Sequence, residues 1–427
     1  MTPITLPRLS HFGGVFDLPG SKSLTNRALL LSALSEGTTR LHNVLVSDDT
    51  TRMREALSQL GIALEVDGDA LLVSGVGGPF DVPVNTNFFL GNAGTAIRPL
   101  TAALAHTPGT FTIDGDRYMR ERPIAHLADA LSTLGTSIHY EAEKGYPPLR
   151  LRGGTLRGGH VDIPGNISSQ FLTALLMSLP LCSKDSTISV VGDQVSTPYL
   201  DITLSIMARY GVHATHENYS LFRIPGGQNY VSPGEFHIEG DASSASYFLA
   251  AAAITGDSIQ INGIGDQSVQ GDVAFLDVLE AMGATVTRYA DHVEVTRETE
   301  LVGIDLDLNH IPDAAMTVAT LALFANGTTT IRNIYNWRVK ETDRMHAMKE
   351  GLVRLGATVD TGEDWIAITP PTALHPASIN PYGDHRVAMS FSLAAFATSN
   401  VIIEDRDCTA KTFPNYFETF LSLSDAA

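Results

Sequence analysis

Residues 56–66, ALSQLGIALEV, decide the fold, because the chain repeats their pattern. An amphipathic segment ends at a glycine and passes at once into strand-like alternation, which predicts a helix closed by a C-terminal glycine and followed by a strand. The phrase returns as ALSTLGTSIHY, IMARYGVHATH, VLEAMGATVTR and LVRLGATVD. Its glycine falls at Gly61, Gly135, Gly211, Gly283 and Gly356, with spacings of 74, 76, 72 and 73 residues. A second phrase, a small or polar cluster running into an apolar helix, occurs six times: LPGSKSLTNRALLLSAL, LGNAGTAIRPLTAALA, IPGNISSQFLTALLMSL, IEGDASSASYFLAAAA, HIPDAAMTVATLALFA and PYGDHRVAMSFSLAAFA. Its anchors Gly20, Gly94, Gly165, Gly240, Pro312 and Gly383 are separated by 74, 71, 75, 72 and 71 residues. One motif of about 72 residues, copied six times, therefore accounts for the chain.

Each copy reads as helix, strand, helix with a glycine cap, then strands with turn signals such as VDGDALLVSG and YADHVEVTR. The sixth runs out at Ala427, and the strand-like stretch ITLPRLSHFGGVFDLPG is placed to supply what it lacks. The natural division is three copies against three: 20–239 as one domain, 1–19 plus 240–427 as the other, with crossings near Pro19–Ser21 and Pro233–Gly240. The first helix of each copy is apolar on nearly all sides, so it is expected to be buried inside its domain. Its polar residues gather at the N-terminal end, where unpaired N–H groups and the helix dipole favour an anion. Six such ends facing one interdomain cleft would make an electropositive hole.

Charge makes that expectation specific. The 427 residues carry 28 Lys+Arg against 47 Asp+Glu, a net −19, which opposes a surface built to neutralise nucleic-acid phosphates. Anionic partners remain possible if the few cations converge. Of six lysines, Lys22, Lys340 and Lys411 lie in or beside the repeated phrases, as do Arg27, Arg98, Arg122, Arg344 and Arg386, with Asp313 and Glu341 among them. A cation at a helix start is electrostatically unwelcome unless an anion resolves the conflict. Two cysteines, Cys182 and Cys408, fit a reducing compartment. No apolar run reaches the roughly 18 residues of a membrane span, and MTPITLPRLSHFGG has neither signal-peptide nor transit-peptide character, so the expected address is the cytoplasm.

Common site motifs fit poorly. GSKS lacks the glycine directly before lysine that a phosphate loop needs, and no G-x-G-x-x-G follows a strand. There is no H-E-x-x-H, and His310 with His385 is a weak metal pair. SSQ at Ser168–Gln170 has no nucleophile elbow around it and reads better as a helix cap with hydroxyls turned to an anion.

Taken together, LPGSKSLTNRALLLSALSEG, LGNAGTAIRPL, RERPI, GNISSQFLTALL, EGDASSASYFLAAAA, NHIPDAAMT, NWRVKETDR, YGDHR and CTAKTFP resemble the enolpyruvyl transferase family, and within it the 3-phosphoshikimate 1-carboxyvinyltransferases. The resemblance runs nearly end to end. It implies a two-domain inside-out α/β barrel of six βαβαββ-type units around buried parallel helices, with the active site in the interdomain cleft and the 20–239 domain mainly binding shikimate 3-phosphate. The implied substrates are phosphoenolpyruvate, held by Lys22, Gly94, Arg122, Arg344, Arg386 and Lys411, and shikimate 3-phosphate, held by Lys22, Ser23, Arg27, Ser168, Ser169, Gln170, Ser196, Tyr199, Asp313, Asn336 and Lys340. Asp313, Glu341 and Lys22 are the implied catalytic groups, Asp313 kept ionised as base by its helix start. A monomer without metal or organic cofactor is expected, with glyphosate, an anion the size of phosphoenolpyruvate, as inhibitor. The sister transferase acting on UDP-N-acetylglucosamine carries a reactive cysteine in a mobile loop, and the comparable loop here, DGDRYMRERP, has none. An RNA-end-processing relative or a binding scaffold is opposed by the charge and by the lack of an aromatic-basic stripe.

Overall fold

The computed structural model describes residues 2–80, 85–154 and 156–426. Its contacts divide the chain into two compact units, Gly20–Ile238 and Met1–Pro19 with Glu239–Ala427. Glu239, assigned from sequence to the first, belongs with the second: its carboxylate accepts from Ser268 Oγ (2.5 Å), Val269 N (3.3 Å) and Gln270 Nε2 (3.0 Å).

In the continuous unit one sheet plan occurs three times. Strand Thr38–His42 pairs in parallel with Glu235–His237 and antiparallel with Ala70–Ser74, which pairs in turn with Ala63–Asp67. Gly109–Asp114 lies likewise between Asn85–Phe89 and Leu149–Gly153, and Ser186–Val191 between His160–Pro164 and Leu221–Ile224. Each central strand follows a buried helix: Lys22–Leu34, Gly94–Leu104 and Ser169–Ser178. Twelve of the 13 residues of Lys22–Leu34 are buried, as an all-round apolar helix requires. Polar groups tie the buried helices together: Asn26 Nδ2 of the first donates to Thr95 Oγ1 of the second (2.7 Å), and Ser178 Oγ of the third donates to Ala102 O of the second (2.8 Å). The repeated glycines Gly61, Gly135 and Gly211 have φ of 78°, 101° and 79°, the left-handed conformation that ends a helix at little cost to glycine. At Gly20 the reason is space, since a Cβ would lie 1.8 Å from Asn43 O.

The discontinuous unit repeats the plan with central strands Ile259–Asn262, Thr329–Arg332 and Val401–Ile403 after helices Ala242–Thr255, Ala315–Leu321 and His385–Phe391. The N-terminal stretch does more than complete the sixth copy. Ile4–Leu6 pairs antiparallel with Val401–Ile403 and gives that sheet its third strand, on the side opposite Ser378–Ile379. Gly14–Asp17 instead supplies the parallel edge of the fourth sheet, on Ile259–Asn262, and Leu9–Phe12 pairs with Ser424–Ala426. Two side chains of this stretch enter the same core: Phe12 packs tilted against Phe420 (4.9 Å between ring centroids) and Phe16 stacks on Phe248 (4.6 Å).

Candidate active site

In the continuous unit, Lys22 opens the first buried helix, 7% exposed, with Nζ 3.6 Å from Asp49 Oδ2. Further along the same helix, Arg27 is 3% exposed and, among the described residues, its hydrogen-bond partners are neutral oxygens. Its Nε donates to Thr203 Oγ1 (3.0 Å), Nη1 to Ser23 O (2.9 Å), and Nη2 to Tyr199 O (3.3 Å) and Thr173 Oγ1 (3.4 Å). Burial pulls this guanidinium down to about 10, against a smaller opposing effect of Tyr199. A buried cation without a carboxylate is costly unless an anion visits it. Ser196, 3% exposed, has a φ of 56°, a left-handed conformation uncommon for serine and a feature that clusters at ligand sites.

Gly94 opens the second buried helix between two arginines. A Cβ there would stand 2.7 Å from Arg98 Nη1, 2.8 Å from Arg122 Nη2 and 3.0 Å from Gln170 Oε1. Arg98 Nη1 donates to Gln170 Oε1 (2.6 Å) and Nη2 to Pro123 O (3.0 Å), while Arg122 Nη1 donates to Asn92 Oδ1 (2.8 Å) and Asn92 O (3.1 Å). Arg98 thus joins the glycine turn, the RERP loop and Gln170. Ser168 caps the third helix, accepting from Gln170 N (3.2 Å), and Ser169 is its first residue.

The cap read at Ser168–Gln170 is present, and not all the buried helix starts are alike. Ser168, Asp241 and Asp384 cap their own helices, whereas those beginning at Lys22 and Gly94 have no side-chain cap.

In the discontinuous unit, Arg344, 1% exposed, is the hub. Its Nη1 donates to Asp313 Oδ1 (2.7 Å), Nη2 to Glu341 Oε2 (2.9 Å) and Nε to Asp384 Oδ2 (2.7 Å). Arg386 Nη2 reaches Asp313 Oδ2 at 3.0 Å, and its Nη1 donates to Tyr247 OH (3.3 Å). Burial opposes charge on Asp313, but Arg386, Lys340 and Arg344 outweigh it and hold the carboxyl well below the usual range. Those cations, rather than the start of the seven-residue helix Ala315–Leu321, keep Asp313 ionised. Burial likewise disfavours the Arg344 charge, yet Asp384, Glu341 and Asp313 raise it above the ordinary arginine value. The short helix Tyr335–Val339, carrying buried Asn336, packs on Arg344–Arg354, and Arg406–Lys411, ending in buried Lys411, packs on His385–Phe391.

Asp384 was not singled out from sequence, although it stands inside the quoted YGDHR. It is fully buried, bonds Arg344 and accepts from Arg386 N (2.9 Å), so it fixes both arginines. Its signal was the aspartate two residues before Arg386, an N-cap spacing. Burial pushes the thiol of Cys182 up to about 11, and burial, with Asp405, Asp384 and Asp407, pushes Cys408 up as well, so neither is poised as a nucleophile.

The family model for EPSP synthase (3-phosphoshikimate 1-carboxyvinyltransferase) matches residues 9–420, a span containing every residue of both clusters. This chain belongs to the EPSP synthase family. A 3-phosphoshikimate 1-carboxyvinyltransferase of Marinomonas sp. (strain MWYL1) is 56% identical over 427 residues, 100% of both chains. One of Yersinia pseudotuberculosis serotype O:3 (strain YPIII) is 55% identical over 426 residues, 99% of both. A solved EPSP synthase from Acinetobacter baumannii has a TM-score of 0.83 at 26% identity, covering 99% of this chain and 98% of its own. The EPSP synthase fold is thus mixed α/β here too. Among the described residues no helix is long and apolar enough to cross a membrane.

Proposed function

We propose that this chain transfers the enolpyruvyl group of phosphoenolpyruvate to the 5-hydroxyl of shikimate 3-phosphate, releasing phosphate, as a step of the shikimate pathway. The observation that carries this is identity above one half, over the full length, with relatives of that name. In this reading the two units are the halves of an inside-out α/β barrel, each ligand drawing on both. Shikimate 3-phosphate is held by Lys22, Ser23, Arg27, Ser168, Ser169, Gln170, Ser196 and Tyr199, with Asp313, Asn336 and Lys340. Phosphoenolpyruvate is held by Lys22, Gly94 and Arg122, with Arg344, Arg386 and Lys411. The neutral setting of Arg27 and the arginine pair at Gly94 support anion binding, since guanidinium forks match carboxylate and phosphate. Glyphosate competes for the phosphoenolpyruvate subsite.

The chemistry is addition followed by elimination. The 5-hydroxyl attacks C2 of phosphoenolpyruvate while its proton leaves and C3 gains one; phosphate then departs as C3 returns a proton. Asp313, held as a carboxylate by Arg344 and Arg386, is the assigned base: it accepts the proton of the 5-hydroxyl and orients the attack. Glu341, whose Oε2 accepts from Arg344 Nη2 (2.9 Å), is the group assigned to deliver the proton to C3, directly or shared with Lys22. Lys22 offsets the charge that develops on phosphoenolpyruvate. Phosphate release requiring both substrates tests the reading. Equal turnover with UDP-N-acetylglucosamine, or none with shikimate 3-phosphate, overturns it.

A further inference from the structure

A second constellation lies in the continuous unit and is built of residues none of which is assigned to substrate. His42 ends strand Thr38–His42 and His237 ends strand Glu235–His237, and the two are direct partners in the parallel register. Their rings stack with centroids 4.2 Å apart and planes 7° from parallel. Glu235 stands two residues before His237, hence on the same face of the sheet. Its Oε2 is 2.8 Å from His42 Nε2. One donor atom from each of the three lies within 4.8 Å of the others.

We infer that His42, Glu235 and His237 form a surface site for a divalent transition-metal cation of the zinc class. Two imidazoles and one carboxylate are the borderline donors that zinc, cobalt(II) and nickel(II) prefer, whereas magnesium and calcium favour all-oxygen sets. The backbone supplies the spacing: one strand provides two ligands at i and i+2, and its neighbour provides the third directly opposite, so all three project from one face. Donors around a tetrahedral zinc are roughly 3.3 Å apart at the usual zinc–nitrogen distance, so the 2.8 Å His42–Glu235 pair opens slightly and the wider separations, up to 4.8 Å, close, movements open to side chains of which Glu235 is 61% exposed. Arg40, the register partner of Glu235, is paired with Asp67. Three protein ligands on an open surface leave room for water to complete the coordination. The site sits where it affects the chain: Ile238 N donates to His42 O (3.1 Å), and the next residue, Glu239, belongs to the other unit. A bound ion clasps the last strand before that crossing onto its neighbour.

The test uses the full chain, freed of metal with a chelator and titrated calorimetrically with zinc chloride, with cobalt(II) chloride in parallel for its visible absorption. The expected result is one saturable equivalent, a four-coordinate cobalt spectrum and a raised melting temperature. His237→Ala and Glu235→Gln should each weaken binding by about tenfold or more, since losing a direct ligand costs at least what losing its supporting partner does. His160→Ala, at another histidine on a strand beside a carboxylate, should leave binding unchanged. Circular dichroism confirms that each variant is folded. Unchanged zinc affinity in folded His237→Ala and Glu235→Gln, or an equal loss in His160→Ala, overturns the assignment. So does the lack of a saturable equivalent in the unaltered chain.

Discussion

Gly94→Ala is the sharpest probe of the proposed phosphoenolpyruvate subsite. Gly94 is not among the positive-φ glycines, so alanine suits its backbone and any cost arises from the new methyl. That methyl would lie 2.7 Å from Arg98 Nη1 and 2.8 Å from Arg122 Nη2, against about 3.4 Å for ordinary contact, so the two guanidinium ends must retreat by about 0.7 and 0.6 Å. A hydrogen bond to a charged group contributes about 1.5–3 kcal/mol, and a displacement of that size forfeits most of one. The KM for phosphoenolpyruvate should therefore rise roughly 10- to 100-fold, at about 1.4 kcal/mol per tenfold. The inhibition constant of glyphosate should rise with it. Gln170 Oε1, at 3.0 Å, needs to give less, so shikimate 3-phosphate affinity should change less than phosphoenolpyruvate affinity. Steady-state phosphate release supplies the first two constants and calorimetry with shikimate 3-phosphate alone the third. An unchanged KM for phosphoenolpyruvate, or a loss confined to shikimate 3-phosphate, would refute the placement of Gly94.

Lys22→Arg keeps the charge but brings a planar fork into a position only 7% exposed, and should lower turnover at least tenfold, about 1.4 kcal/mol in barrier; near-native turnover would make Lys22 a bystander. Asp313→Ala and Glu341→Gln should still bind shikimate 3-phosphate but lose about 10²–10⁴ in turnover, with hydrogen exchange at C3 of phosphoenolpyruvate suppressed more by Glu341→Gln. Native exchange in that variant would remove Glu341 as the acid. Because Asp313 stays ionised well below the usual carboxylate range, protonating it should not cause any fall in rate seen between pH 5 and 6; an acidic limb there that vanishes in Asp313→Asn would contradict this. His106, whose Nε2 lies 2.9 Å from Ser178 O, is lowered by burial from 6.5 to about 4. The unfolded chain then takes up this proton first as pH falls, so its stability contribution is full above pH 6.5 and is lost toward pH 4. Urea midpoints should show about 2 kcal/mol less stability at pH 5 than at pH 7 from this group, and a His106→Gln variant with the native pH dependence would exclude it.

The repeat was legible because it is local: a glycine that must be left-handed, followed by alternation, marks the same turn wherever it recurs. The path of residues 4–17 was not, since three short strands joined to three different partners leave no periodic trace. The cations announced themselves by scarcity. Their partners did not, because Arg27 and Arg344 find theirs up to 176 and 40 residues away, separations set by how whole repeats pack. Asp384 was therefore overlooked while the arginines it fixes were noticed, and Arg98, noticed, revealed its link to Gln170 only in three dimensions.

The borrowed strands at the start of the sequence bear on how the protein is made. Gly20–Ile238 contains every strand of its own three sheets and has what it needs to fold once its last residues leave the ribosome. The other unit cannot close in that order. Ile4–Leu6 must wait for Val401–Ile403, and Phe12 for Phe420, so this early segment stays unpaired until those far later residues are made. During that interval its apolar residues Leu6, Leu9 and Phe12, buried in the folded chain, are exposed and open to non-native contacts.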